Sequence, residues 1–299
     1  MNPYELTQEI LEKLSGIKIS TSLIQKVTNK VGNELIKQED DFILKPKSVK
    51  KKEIADKIVI SMDGAMINTY NDWKEVKTGA IYEIKETEKG LISDNKTYVS
   101  KIEDHLSFRK RIKAEAIRRD YKSAKETIVI GDGARWIWDL ADVEFPFAVK
   151  ILDWYHAKEH LNKIVKLLYP ADFKESKCLA DILENNLYEG NIEELIKIID
   201  KHKSKTTIYD RLEDLADLQT ETEYFVKNKD KMQYRYFDDN KYPIGSGVIE
   251  GACKQVVQVR LKRNGMKWKN DGAHSVLKIR TMYLSDRWGE VINILKKIA

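Results

Sequence analysis

Cysteine is nearly absent: Cys178 and Cys253 are the only two in 299 residues. Both sit inside helical patterns, which excludes a disulfide framework and a cysteine-based zinc site and points to a reducing, cytoplasmic compartment. A signal peptide is missing, and so is any apolar run of membrane-spanning length, so no membrane partner is expected. A strong charge of one sign is lacking as well, because 53 Lys and Arg stand against 48 Asp and Glu, a net of +5. The distribution is uneven, however. Residues 251–299 carry 11 Lys and Arg against 3 Asp and Glu, a net of +8, which leaves −3 for everything before them. A surface of that kind suits a polyanion such as nucleic acid. With 42% hydrophobic residues and 34% charged residues of mixed sign, the chain is globular and long enough for one large domain or two small ones.

The chain reads in five parts. Residues 1–44 form a small helical region: 4–14 are amphipathic, Gly16 interrupts them, and Ser20 or Thr21 caps a second helix through roughly Lys37. That spacing fits a helix-turn-helix, as it fits any helical hairpin. Residues 45–56 are a basic linker opening with five lysines in eight residues. From 57 to 169 the pattern is three strands, helix, strand, helix, strand, helix, which specifies a mixed five-stranded α/β sheet. Its first strand is expected to end at Asp63 and Gly64. Further strands are expected at Trp73 to Ile84, at Thr97 to Ile102, before Asp132, and at Phe147 to Tyr155, with helices at Leu106 to Ser123 and from His156. Residues 170–240 are an all-helical insertion, with Gly190 the only glycine between 170 and 236. Residues 241–299 complete the core with a helix starting near Ser246 and two basic C-terminal helices.

Asp63, Asp132 and Glu250 are the candidate catalytic and metal-ligating residues. Ligands of open α/β sheets gather at the carboxyl ends of strands, where the two aspartates are expected. Glu250 falls at the edge of an apolar arc formed by Ile249, Cys253, Val256 and Val257, so its carboxylate is expected to face inward; the ordinary alternative is an ion pair with Lys254. Three converging carboxylates repel one another unless cations intervene. Two Mg2+ ions, with Mn2+ able to substitute, relieve that conflict and suit hard oxygen ligands; such a pair supports phosphodiester cleavage. Lys254, Arg260, Lys262, Arg263, Lys267 and Lys269 are candidate DNA-phosphate contacts.

The runs GDGARWIW, ILDWYHAKEHL and PIGSGVIEGACKQVVQVRLKRNGMKW resemble those of the ISKra4 family of bacterial insertion-sequence transposases, over about Ile58 to Trp288. The resemblance implies a DDE enzyme of RNase H-like fold, with Asp63, Asp132 and Glu250 as the acidic triad and the helical segment as the insertion that precedes the glutamate. It also implies that Asp153 and His156 support the site, that the protein cleaves and joins DNA at element ends and target, and that it works as a homo-oligomer on DNA. A longer N-terminal DNA-binding region is expected of the family than this chain carries.

Two other readings compete. A non-catalytic DNA-binding remnant of a transposase would keep the helix-turn-helix and the basic face without the chemistry. The run His156, Ala157, Lys158, Glu159, His160 also fits H-x-x-E-H, the inverted zinc-peptidase signature. Trp136, Trp138, Trp154 and Tyr155 are candidates for stacking on unpaired bases, with the core as the simpler role for Trp136 and Trp154.

Overall fold

Ile58, Val59, Ile60, Ser61 and Met62 are all buried, and the strand they start does not stop at Asp63. The computed structural model, which describes residues 3–49, 53–170, 173–205, 208, 212–263 and 265–298, carries β1 from Lys57 to Asn68. Asp63 therefore lies in mid-strand, because Ala65 and Ile67 go on burying their side chains and β2 (Trp73–Thr87) pairs antiparallel along the whole length. A third strand, β3 (Gly90–Lys101), starts well before Thr97 because a tight turn joins it to β2. Then come α3 (His105–Arg118), β4 (Glu126–Gly131), α4 (Arg135–Glu144), β5 (Val149–Leu152) and α5 (Trp154–Leu168). The fifth strand is shorter than the apolar run suggests, since Asp153 caps α5 and ends it. The five strands form one mixed sheet in the order β3-β2-β1-β4-β5, with β4 and β5 parallel. That order is compatible with the RNase H-like class.

The chain divides into two compact units. The first comprises Met1–Lys85, Ser93–Thr127 and Gly247–Ala299. Its N-terminal helices are α1 (Pro3–Ser15) and α2 (Thr21–Leu44), with Ser20 Oγ accepting from the Leu23 N–H at 3.2 Å as the N-cap. Val31, Gly32 and Leu35 bury α2 against α12 (Asn270–Leu284), with α13 (Trp288–Ile298) closing the same small core, and α2 runs past Lys37 because Glu39 pairs with Lys278 and Arg111 and the Phe42 ring takes the Arg118 guanidinium at 3.8 Å. The inward face of α2 is thus occupied by the fold. Of the basic linker, 50–52 lie outside the described residues.

One face of β1 and β2 is covered by α3: a Cβ on Gly79 would meet Ile112 Cδ1 at 2.5 Å and Phe108 Cζ at 3.3 Å. The opposite face, with Ala65, Ile67 and Val76, is covered by the C-terminal helical stretch. That stretch begins as α10 (Gly247–Ala252), widens into a π-helical turn over Cys253–Gln258, and ends as α11 (Val259–Leu261). Arg111 of α3 is buried, paired with Glu39 at 2.5 Å and Glu103 at 2.7 Å, while Glu39 also takes Lys278 at 2.8 Å. This arginine ties α2 to α3 and is spent on structure.

The second unit comprises Glu86–Ile92 and Ile128–Ser246. Here α4 buries Ile137, Trp138, Leu140 and Ala141. Helices α6 (Phe173–Tyr188), α7 (Ile192–Lys203), α8 (Leu212–Asn228) and α9 (Tyr234–Asp239) make the segment after α5 wholly helical among the described residues. No helix among the described residues is long and apolar enough to cross a membrane.

The close crossing of α2 and α12 yields a direct test. A Cβ on Gly32 would stand 2.5 Å from the Ser275 Cα, a helix backbone atom that cannot swing aside. Gly32→Ala is expected to destabilise the fold by roughly 1–3 kcal/mol, the usual cost of overpacking. A lowered urea midpoint checks it; an unchanged midpoint contradicts it.

Candidate functional site

In the first unit Asp63 stands opposite Thr78 of β2 and accepts from the Gly64 N–H at 2.6 Å. Glu250 sits in α10, and three residues further on the π-helical turn begins at Cys253. The Cys253 side chain hydrogen-bonds with both Asp63 and Thr78 and lies within electrostatic reach of Glu250. Thr78 continues the polar row to Ser100 at 3.0 Å. Burial above all, and then the Asp63 carboxylate, push the thiol up, so Cys253 stays a neutral group. The inward expectation for Glu250 does not hold. Ile249, Ala252 and Cys253 fill the buried side of the helix, and the Glu250 carboxylate is exposed.

In the second unit Asp132 follows the last residue of β4, as expected from its flanking glycines. Its side chain accepts from the Ala134 N–H at 2.9 Å, and its carbonyl accepts from Tyr224 Oη–H at 2.9 Å. Gly133 between them has φ +102°, and a Cβ there would stand 2.7 Å from the Tyr224 ring, so only glycine fits this turn. Asp153 is fully buried and its polar groups are bonded. Its backbone N–H donates to Gly131, Oδ1 accepts from the His156 N–H at 2.8 Å and pairs with Nδ1 at 3.0 Å, and Oδ2 accepts from the Ser246 N–H at 2.5 Å.

Burial pushes Asp153 up, but the hydrogen bonds from His156 and Ser246 outweigh it and hold the carboxyl below its ordinary value. The same Asp153 hydrogen bond raises His156 to about 9, with the Asp132 charge adding to the effect. Burial first and the neighbouring carboxylates second push the Tyr224 hydroxyl up, so it remains a donor. Asp132, Asp153 and His156 thus form one charge-coupled group.

The six basic residues divide by environment. Lys254, Lys262, Arg263, Lys267 and Lys269 are exposed, whereas Arg260 is half-buried, its guanidinium 4.9 Å from the Tyr4 ring and 5.0 Å from the Trp268 ring. Trp268 is held by its own indole N–H, which donates to the Leu261 carbonyl at 3.0 Å, and by a bridge to Thr69. Of the aromatic candidates, Trp138 is core; Trp154 packs edge-on against Tyr188 and Tyr234; Trp136 is only half-buried; Tyr155 is exposed. The zinc-peptidase motif is not assembled. His160 Nδ1 is bonded to Glu221, and among the described residues no group of three potential ligands contains both His156 and His160.

Thr78 and Tyr224 carried no signal in the sequence; Ser246 was read only as a helix start and Cys253 only as part of the apolar arc, neither as a site residue.

The chain belongs to the uncharacterised protein family UPF0236, whose profile matches residues 2–294. No curated protein matches it.

The Asp153–His156 pair predicts a pH dependence. The folded value of His156 lies above its ordinary 6.5, so its stabilising contribution is complete below about 6.5 and is lost as pH rises through about 9. In metal-free buffer His156→Gln is expected to flatten the fall in stability across that window, measured by urea midpoints at successive pH. A slope identical to that of the parent protein contradicts it.

Proposed function

We propose that this UPF0236 protein is a Mg2+-dependent DDE-type transposase that cleaves a phosphodiester at the end of a DNA element and directs the freed 3′-hydroxyl onto target DNA. The observation that carries the reading is the distribution of the acidic residues. Asp63 of β1 bonds the Cys253 thiol, which lies within electrostatic reach of Glu250, and Asp132 follows the end of β4 near the buried Asp153 and its partner His156. These are hard oxygen donors, and the one thiol among them is held protonated, so the set fits Mg2+ or Mn2+ rather than zinc. In this reading Asp63 and Asp132 hold the ions and Glu250 completes the second position. When bound, two such ions supply charge neutralisation, an activated water or hydroxyl nucleophile, and stabilisation of the leaving oxygen.

The remaining residues position and attract. Asp153 fixes the His156 ring through Nδ1 and keeps it cationic beside Asp132, which limits the repulsion among the carboxylates. Gly133 and Tyr224 set the turn that presents Asp132. The exposed Lys254, Lys262, Arg263, Lys267 and Lys269 draw the DNA backbone, and assembly of two or more copies on the DNA is part of the same reading. The second reading, a DNA-binding protein without chemistry, rests on that basic surface alone.

Incubation with Mg2+ and a supercoiled plasmid or an end-bearing oligonucleotide separates the two. Cleavage by the native protein is expected to fall to background in Asp132→Asn and by about 10–100-fold in His156→Ala, the usual cost of losing a supporting partner. Binding without cleavage by any of the three proteins sinks the enzyme. The double variant Lys262→Ala, Arg263→Ala is expected to flatten the slope of log affinity against log salt by about 1.8, at about 0.9 per phosphate contact. An unchanged slope removes that face from the DNA interface.

A further inference from the structure

Within the first unit a cleft of about 1110 Å³ opens among Tyr4, Gln25 and Asn29 of the N-terminal helices, Tyr70 after β1, and the segment from Arg260 to Gly272. Its walls carry Arg260, Arg263, Lys267 and Lys269, against Asp271 as the one carboxylate among the described lining residues. Three aromatic rings interleave with these cations. Trp268 and Tyr4 bracket the Arg260 guanidinium, which fixes both rings at the wall, and Tyr70 is 65% exposed. The Tyr70 backbone is held by its N–H donating to the Trp268 carbonyl at 3.1 Å, so this exposed ring stands on a braced turn.

We infer that this cleft binds unpaired DNA, its bases stacking on Tyr70 and Trp268 and its phosphates on Arg263, Lys267 and Lys269. Duplex DNA keeps its bases stacked on one another and offers a protein mainly phosphates, for which lysines and arginines on an open surface suffice. Exposed aromatic faces inside a cationic cleft are what a strand with free bases requires. The volume accommodates a few nucleotides, and the exposed side-chain amide of Gln25 offers hydrogen bonds to base edges. In this arrangement the N-terminal helix meets the nucleic acid through Tyr4 and the cleft wall. The inference rests on the nucleic-acid reading of the basic face and is independent of the acidic residues.

The test uses the full-length protein in EDTA, with fluorescence anisotropy of a labelled eight-nucleotide oligothymidylate and of a labelled twenty-base-pair duplex. Tyr70→Ala is expected to weaken single-strand binding about fivefold to a hundredfold, the usual loss on removing one stacking ring, and to leave duplex affinity unchanged. Tyr70→Phe, which keeps the ring, is expected to bind like the parent, and Lys267→Ala to weaken both ligands. Single-strand affinity that Tyr70→Ala leaves unchanged, or an equal loss for duplex and single strand, overturns the inference. Because no cleavage occurs in EDTA, an inactive protein with intact, Tyr70-dependent strand binding refutes the chemistry and keeps the cleft.

Discussion

The seating of the π-helical turn Cys253–Gln258 on the middle of β1 is the contact on which the first unit depends. A π turn widens the helix by one residue per turn and strands carbonyls that a regular helix would satisfy. Arg280 of α12 takes up the Gln255 and Val256 carbonyls, at 3.0 and 3.1 Å from its Nε. With that support Val256 and Val257 pack onto Ala65, Ile67 and Val76, and Cys253 drops onto the Asp63–Thr78 pair. Glu250, one turn earlier, is thereby carried to the same neighbourhood while remaining exposed to solvent. A carboxylate buried there without a partner would cost several kcal/mol, a cost that the exposed position avoids.

The second unit solves the same problem differently. Asp153 is fully buried, a position that ordinarily favours the neutral acid, yet it receives two backbone N–H groups and a histidine. Those donors hold it ionised, and the negative charge in turn keeps His156 cationic beside Asp132. One buried anion therefore links the start of α5, the loop before α10 and the electrostatics of the Asp132 turn. Gly133 and Tyr224 add a steric constraint, so that α8 of the helical segment shapes the turn through one hydroxyl and one ring edge.

The mixed sheet was readable because β-branched runs and flanking glycines mark β1 and β4 strongly, and helix α13 spans Trp288–Ile298 as its periodicity indicates. Boundaries failed where tertiary packing overrode local signals. Asp63 and Gly64 looked like a strand end, but β2 pairs straight through them; α2 outran Lys37 because Glu39 in its later turns found Lys278 and Arg111 as partners. The orientation of Glu250 was misjudged because a 3.6-residue period was assumed across a stretch that contains a π turn. Asp132 was legible as a strand-end residue; Asp153 and His156 entered only through the family resemblance, because the apolar run hid the cap that Asp153 provides. The thiol beside Asp63 was not legible, since nothing in the sequence pairs Cys253 with a strand almost two hundred residues earlier.

The proposed function stands or falls on whether Asp63, Asp132 and Glu250 hold divalent cations. Iron(II) substituted for Mg2+, with ascorbate and peroxide, cuts a polypeptide only beside the bound ion and so reports which segments surround it. The account predicts cuts near Asp63, near Asp132 and near Glu250 in the same preparation, all suppressed by excess Mg2+. Cuts beside only one of the three, or cuts that Mg2+ does not suppress, would contradict it.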